Sequence, residues 1–186
     1  MNWGRIAKRI RVPLGFVLAI AYFWLARPSW KSIVIGALVA LAGVAIRASA
    51  SGHVKKNEEL TISGLYAYTR NPLYLGSIVI AAGFAVAAQS LWIVAILIVM
   101  FVAIYVPVIR GEEAFLRITF REQFDEYCRR VPRLVPRFTR ARFAGLNQGY
   151  GSFSPALYRK HREYNAALGT AAMLAALIAK LVWFQH

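Results

Sequence analysis

The side chains of this chain that could do chemistry are gathered in two short motifs. The first is Tyr66-Ala67-Tyr68-Thr69-Arg70-Asn71-Pro72-Leu73-Tyr74, a polar turn with one arginine and three tyrosines. The second is Arg110-Gly111-Glu112-Glu113. The 39 residues from Asn71 to Ile109 carry no charge. Two carboxylates at the end of such an apolar run are costly unless they are paired or used. Arg70 and Arg110 are the candidate partners, and a cationic or polar ligand is the other way to satisfy them. Chemically, Glu112 or Glu113 can take a proton from an amine. Arg70 or Arg110 can hold a carboxylate in place. Each motif alone has a plainer reading. Arg and Tyr mark helices entering a headgroup region, and acidic residues in a first helical turn offset the helix dipole. Their meeting across one apolar hairpin is what points to a site.

A hairpin is required because the run is too long for one span. As a single helix it would reach roughly 58 Å, about twice the bilayer core. Ala87-Ala88-Gln89-Ser90 is the natural break, which gives spans over 73–88 and 91–109. Pro72 suits the first turn of one, and Pro107 predicts a kink or an end in the other. Further spans are expected over 12–26, 32–51 and 165–184. The first has a basic start like a signal peptide, but no small-x-small pattern follows, so it reads as a retained helix. Arg47 and Lys180 fall near span ends and are expected to snorkel outward. The expected fold is all-α: a polytopic membrane protein of about five transmembrane helices, one domain over 1–186.

With the amino terminus in the cytoplasm, 20 of the 23 Lys and Arg residues lie inside. Only Arg27, Lys31 and Lys180 lie outside. The positive-inside rule then places the amino terminus and both motifs in the cytoplasm and the carboxyl terminus on the opposite side. In the segment that follows, Leu116, Phe120, Phe124 and Tyr127 share one helical face. Arg117, Arg121, Glu122 and Asp125 take the other. This predicts an amphipathic helix over 112–130, lying on the membrane or capping a cytoplasmic site. Val131-Pro132-Arg133-Leu134-Val135-Pro136 predicts an extended exit, and Gly145 to Ser154 reads as a loop.

Composition agrees. The chain is 59% hydrophobic, against about 45–50% for a soluble domain. Its net charge of +15 follows from positive-inside bias and anionic lipid, so no nucleic-acid partner is expected. The single cysteine allows no internal disulfide and no thiol zinc cluster. His53, His161 and His186 are too scattered for a metal site, so no metal is expected. With no Gly-x-Gly-x-x-Gly and no βαβ pattern, a Rossmann-type methyltransferase is not expected.

The ordered motifs resemble the integral-membrane methyltransferases that include isoprenylcysteine carboxyl methyltransferase and the phospholipid N-methyltransferases. That family shows a glycine-aromatic lead-in and Arg-(His/Asn)-Pro-x-Tyr-x-Gly, here Gly64-Leu65-Tyr66 and Arg70-Asn71-Pro72-Leu73-Tyr74-Leu75-Gly76. It then shows Glu-Glu-x-x-Leu, here Glu112 to Leu116, and an aromatic helix ending in Tyr-x-x-x-Val-Pro, here Tyr127 to Pro132. A Phe-Gly pair usually precedes that helix end, whereas Phe120 is followed here by Arg121. The resemblance covers roughly residues 47–137. It implies methyl transfer from S-adenosylmethionine to an amphiphilic or lipid-like acceptor at the cytoplasmic face. It also implies a cofactor site lined by Leu60, Thr61, Tyr66, Asn71, Pro72, Leu73, Tyr74 and Glu112. In such a site Glu112 would balance positive charge, and Tyr66 or Tyr74 would stack on adenine or face the sulfonium.

Two rival readings are distinct. An NADPH-dependent reductase of the sterol-reductase type shares an aromatic helix ending near Val-Pro, but the Glu-Glu-x-x-Leu motif favours the methyltransferases. A non-catalytic scaffold or small transporter is the other rival. Buried charges inside the spans would support transport, and only Arg47 and Lys180, both near span ends, are found.

Overall fold

Every apolar run of the sequence forms a helix. The computed structural model describes residues 3–54, 59–143 and 153–184, and no strand occurs among them. In chain order they form α1 (Trp3–Leu25), α2 (Trp30–Ser51), a 3-10 turn (Gly64–Ala67), α3 (Pro72–Ala88), α4 (Leu91–Met100), a π turn (Phe101–Tyr105), α5 (Val106–Arg130), α6 (Pro155–Lys160) and α7 (Tyr164–Phe184). Three helical stretches are long and apolar enough to cross a membrane: Trp30–Ser51, Leu91–Arg130 and Tyr164–Trp183. Pro13–Leu25 and Pro72–Ala88 are shorter apolar helices. The loop expected over 145–154 lies outside the described residues except for Phe153 and Ser154, and Ser154 caps α6 by accepting from the Leu157 N–H.

Lipid supplies no hydrophobic drive between helices, so close backbone approach decides their packing. A Cβ added to Gly83 would sit 2.5 Å from the Gly36 carbonyl oxygen, and one on Gly43 would sit 2.7 Å from that of Gly76. These glycines let α2 and α3 press together along their length. At the far end from the two motifs, Ser29 and Ser32 form a capping box. Ser32 also donates to the Ala87 carbonyl at 3.0 Å, and Tyr22 donates to that of Phe84 at 2.8 Å. Lys180 does not snorkel. Its Nζ donates to the carbonyls of Ala26 at 2.8 Å, Trp24 at 3.2 Å and Phe23. The last carbonyls of α1 have no intrahelical partner, and an ammonium there also suits the dipole.

The fourth span corrects the sequence reading. Of the two outcomes expected at Pro107, an end does not occur: the helix runs on past it, with a π turn at Phe101–Tyr105 just ahead of it. The π turn absorbs the proline: the Val106 N–H reaches back to the Phe101 carbonyl, a local widening of the kind π turns provide. From Leu91 to the kink at Arg121 this helix spans about 45 Å, so about a third of it extends past a hydrocarbon core. Glu112 and Glu113 therefore sit mid-helix, not in a first turn, and the dipole reading of them fails. The break comes later, at Arg121, where φ is 43° and ψ −118°. This kink folds the helix enough for Arg117 Nε to donate to Asp125 Oδ1 at 2.8 Å across eight positions, which a straight helix would hold about 12 Å apart. Leu116, Phe120, Phe124 and Tyr127 do share one packed cluster, with Ile62, Val131, Ala141 and Phe143.

A positive φ at a non-glycine residue is strained, and Arg121 stands where the related family carries glycine. Arg121→Gly is expected to stabilise the protein by about 1 kcal/mol, the relieved strain less the backbone entropy glycine loses. Reversible denaturation in mixed detergent micelles measures it.

Candidate functional site

Glu113 is the centre of the site. Its side chain is buried, at 8% exposure, yet it carries a carboxylate. Arg133 donates to Oε2 through Nε at 2.9 Å and pairs with it through Nη2 at 2.7 Å. Arg70 Nη2 lies 3.6 Å from Oε1, to which Asn71 Nδ2 donates at 3.2 Å. Two cations and an amide thus offset the desolvation of one carboxylate, which an unpaired buried charge would not survive. Glu113 also raises the Arg133 pKa through that hydrogen bond.

Local sequence explains why these groups meet. Pro72 opens α3 with no N–H to satisfy, and Asn71 is the N-cap residue. An asparagine there normally caps its own helix. Here its amide is turned away to Glu113 and to the Arg133 carbonyl at 3.0 Å. The prolines at 132 and 136 keep the chain after α5 extended, and it lies along the first motif. The Arg70 N–H donates to the Pro132 carbonyl at 2.9 Å, Arg137 N–H to that of Tyr68 at 3.1 Å and Ala141 N–H to that of Ala67 at 3.1 Å. Thr69 Oγ1 donates to the Leu134 carbonyl at 3.0 Å. Tyr127 closes the set by donating to the Tyr66 carbonyl at 2.7 Å. Gly64 is required at the lead-in: its φ is +56°, and a Cβ would lie 2.8 Å from the His53 ring.

A second ion pair, unforeseen from the sequence, adjoins the first. Arg47 Nη2 pairs with Glu163 Oε2 at 2.7 Å, Nε donates to the same oxygen at 3.0 Å, and both side chains are largely buried. Arg47 Nη1 also donates to Ser77 Oγ at 2.5 Å and to the Leu73 carbonyl at 3.3 Å. Arg47 thus turns into the bundle where snorkelling was expected. Gly76 permits this, since a Cβ there would sit 2.6 Å from Arg47 Cγ. Glu163 stands alone, away from the other acidic residues and just ahead of the last apolar run. That isolation is the only signal the sequence carried.

The predicted residues divide into three groups. Arg70, Asn71, Pro72 and Glu113 come together in one buried network. Tyr66, Leu73, Tyr74 and Glu112 border it. Tyr66 is buried, and burial first, then the Glu112 and Glu163 carboxylates, push its phenol pKa up, with Arg47 opposing. Tyr74 packs edge-on against Tyr105, centroids 5.9 Å apart. Glu112 is half-buried and has no ion-pair partner among the described residues. The rest stand apart: Leu60 packs on the Phe124–Tyr127 cluster, Thr61 is half-buried beside it, and Arg110 is exposed. Tyr105, Arg133 and Glu163 are the members that sequence reasoning missed.

The sequence model of the family described as phospholipid methyltransferase matches residues 13–123. The chain belongs to the phospholipid methyltransferase family. The match includes Arg47, the whole first motif and both glutamates, and ends before Arg133, Glu163 and α7. Among curated proteins, the chain is similar to the cobalt-zinc-cadmium resistance protein CzcN of Cupriavidus metallidurans, 39% identical over 85 residues. It is also similar to the nickel-cobalt-cadmium resistance protein NccN of Alcaligenes xylosoxydans xylosoxydans, 38% identical over 85 residues. Each alignment covers 46% of this chain and 39% of the relative's length. No solved structure matches the chain.

Two outcomes test this network. Glu113→Gln strands a largely buried Arg70 without its counter-charge and is expected to cost about 2–4 kcal/mol, less than a fully buried pair because Arg133 is half-exposed. Denaturant titration of the detergent-solubilised variant checks it. The raised Tyr66 pKa sets a pH dependence. Below the ordinary phenol value of 10.0 both folded and unfolded chains keep the proton, so stability is unaffected. Above it the unfolded chain releases the proton first, and stability falls with rising pH. The fall is expected to be shallower in Tyr66→Phe, read from alkaline unfolding curves.

Proposed function

We propose that this membrane protein transfers a methyl group from S-adenosylmethionine to an amphiphilic or lipid-like acceptor, of the isoprenylcysteine-carboxylate or phospholipid-amine type. The observation that carries the reading is an imbalance beside Glu113. Arg70 Nε is buried and has no hydrogen-bond partner among the described residues, while the neighbouring Glu112 carboxylate has no cation. A guest bearing both a carboxylate and positive charge satisfies both, and S-adenosylmethionine has that pattern. It would be held by Tyr66, Asn71, Pro72, Leu73, Tyr74 and Glu112 at the Glu113 network and by Leu60 and Thr61, which stand apart from that network, at its far end, and when bound it supplies an electrophilic methyl group.

The chain's own contribution is alignment and exclusion of water. Glu113 is a positioning residue: it holds Arg70, Asn71 and the 131–143 strap in place. Glu112 balances cationic charge and, for an amine acceptor, takes the proton that must leave. A carboxylate acceptor needs no base, only a guanidinium to place it, a role open to Arg70 or the exposed Arg110. The proposed setting is one membrane domain over 1–186 with five spans, with the amino terminus and site cytoplasmic and the carboxyl terminus opposite. Arg47 and Lys180, the charges inside the apolar helices, are both fully engaged, which removes the support a transporter would need. The resistance named for the two relatives is theirs. Among the described residues no three metal-ligating side chains gather.

Isothermal titration with S-adenosylhomocysteine tests the reading. The wild type is expected to bind, and Glu112→Ala to bind at least about tenfold more weakly, the loss of one charge-assisted contact. No binding by the wild type overturns the proposal. Labelled donor offered with prenylcysteines and phospholipids then identifies the acceptor.

A further inference from the structure

The family match ends at residue 123, yet α7, well beyond it, walls a cavity that the site described above does not use. The cavity measures about 570 Å³ and lies between α1, α3, α4 and α7. Its sides are apolar, including Leu18, Ile80, Phe84 and Met173. Four of its polar residues, Arg47, Ser77, Tyr105 and Asn165, lie at the end nearest the first motif, while Thr170 lines the α7 wall and Tyr22, whose hydroxyl is taken up by the Phe84 carbonyl, lies toward the other end. The volume is several times the roughly 150 Å³ of a large engineered void and falls within the range of about 300–1,000 Å³ for ligand pockets. Its α1 wall runs from Gly15 to Leu25, about 15 Å of helix, which is half a hydrocarbon core or one leaflet.

Chemistry narrows the occupant. The walls take one apolar chain. The polar end carries no net charge, because Glu163 already binds Arg47, and it offers hydroxyl and amide groups from Tyr105 and Asn165, beside a Ser77 hydroxyl that already donates to the Leu73 carbonyl and accepts from Arg47. The way in is lateral. Gly15, Ala19, Gly169 and Met173 line both this cavity and a second groove of about 680 Å³ on the other side of the α1–α7 seam. That groove is bordered by the exposed Phe16, Ile20 and Trp24. A Cβ added to Gly15 or Gly169 would meet nothing within 4 Å, so the seam is thin.

We infer that α7 completes a binding site for a one-chain amphiphile with an uncharged, hydrogen-bonding head, admitted between α1 and α7 and oriented head-first toward Ser77 and Tyr105. With its uncharged head this occupant differs from the carboxylate and phospholipid acceptors proposed above, so the inference stands on the cavity and not on the proposed function.

Photolabelling tests it on the full chain in phosphatidylcholine nanodiscs, with a diazirine-bearing monoacylglycerol as the probe. Labelling of Phe84 and Met173 is expected. It should fall at least about tenfold, the measure of a blocked site, in Gly169→Phe, whose ring fills the cavity from open space. Circular dichroism and gel filtration confirm that the variant folds, and Gly15→Leu serves if it does not. No labelling of cavity residues in the wild type overturns the inference. So does labelling unchanged by the filling variants, or equal labelling by a two-chain phosphatidylcholine probe. S-adenosylhomocysteine titration of the same proteins reads the methyltransferase proposal separately, since neither glycine touches the Glu113 network.

Discussion

One buried carboxylate organises the polar half of this molecule. Glu113 draws together Arg70, Asn71 and Arg133, which reach it from the start of α3 and from the strap after α5. A lone carboxylate at that depth would be expelled or protonated. Ringed by two guanidiniums and an amide, it locks the N-cap residue of α3 to the middle of α5. The lock has consequences beyond itself. Asn71 is unavailable to cap its own helix, Tyr74 is held against Tyr105, and the strap is tied along Tyr66 to Arg70 by backbone hydrogen bonds. Glu112, next in the chain to the locked residue, is left without a cation.

The same logic recurs in the apolar part of the bundle. Arg47 is neutralised by Glu163, and Lys180 is absorbed by the carbonyls at the end of α1. In hydrocarbon such groups must be matched internally. The Arg47 pair does more than neutralise. It ties α2 to the start of α7 and reaches the Leu73 carbonyl of the first motif, so the last helix is coupled to the site by charge. Glycine makes this geometry possible, because α2 and α3 approach so closely that Arg47 passes over Gly76 where any side chain would collide.

Much of the architecture was legible in the sequence. Block hydropathy located every apolar helix, and the hairpin argument correctly brought the Arg70–Tyr74 and Glu112–Glu113 motifs together. The spacing of Leu116, Phe120, Phe124 and Tyr127 correctly predicted a packed face. Pro107 was expected to kink or end its span, and the span does not end there: a proline rule based on α-helical hydrogen bonds does not foresee a π turn that relieves it. Arg121 misled in the opposite way: a good helix former by propensity sits at a left-handed kink. Phe124 and Tyr127, just past the kink, pack into the cluster with Ile62, Val131, Ala141 and Phe143. Arg47 and Lys180 were read as snorkelling because flank position, not partner identity, was all that could be seen.

The sequence by itself determined the helices, the apolar hairpin and membership of a methyltransferase family, because periodicity, hydropathy and motif order are local properties written along the chain. Only the tertiary structure decided which glutamate is locked and which is free, which arginine turns inward, and that α7 encloses a cavity. Those outcomes depend on contacts between residues well separated in the chain, 20 positions for Arg133 and Glu113 and 116 for Arg47 and Glu163. Desolvation is the physical reason. A charge in low dielectric must find a partner wherever the fold supplies one, and no local pattern records where that is.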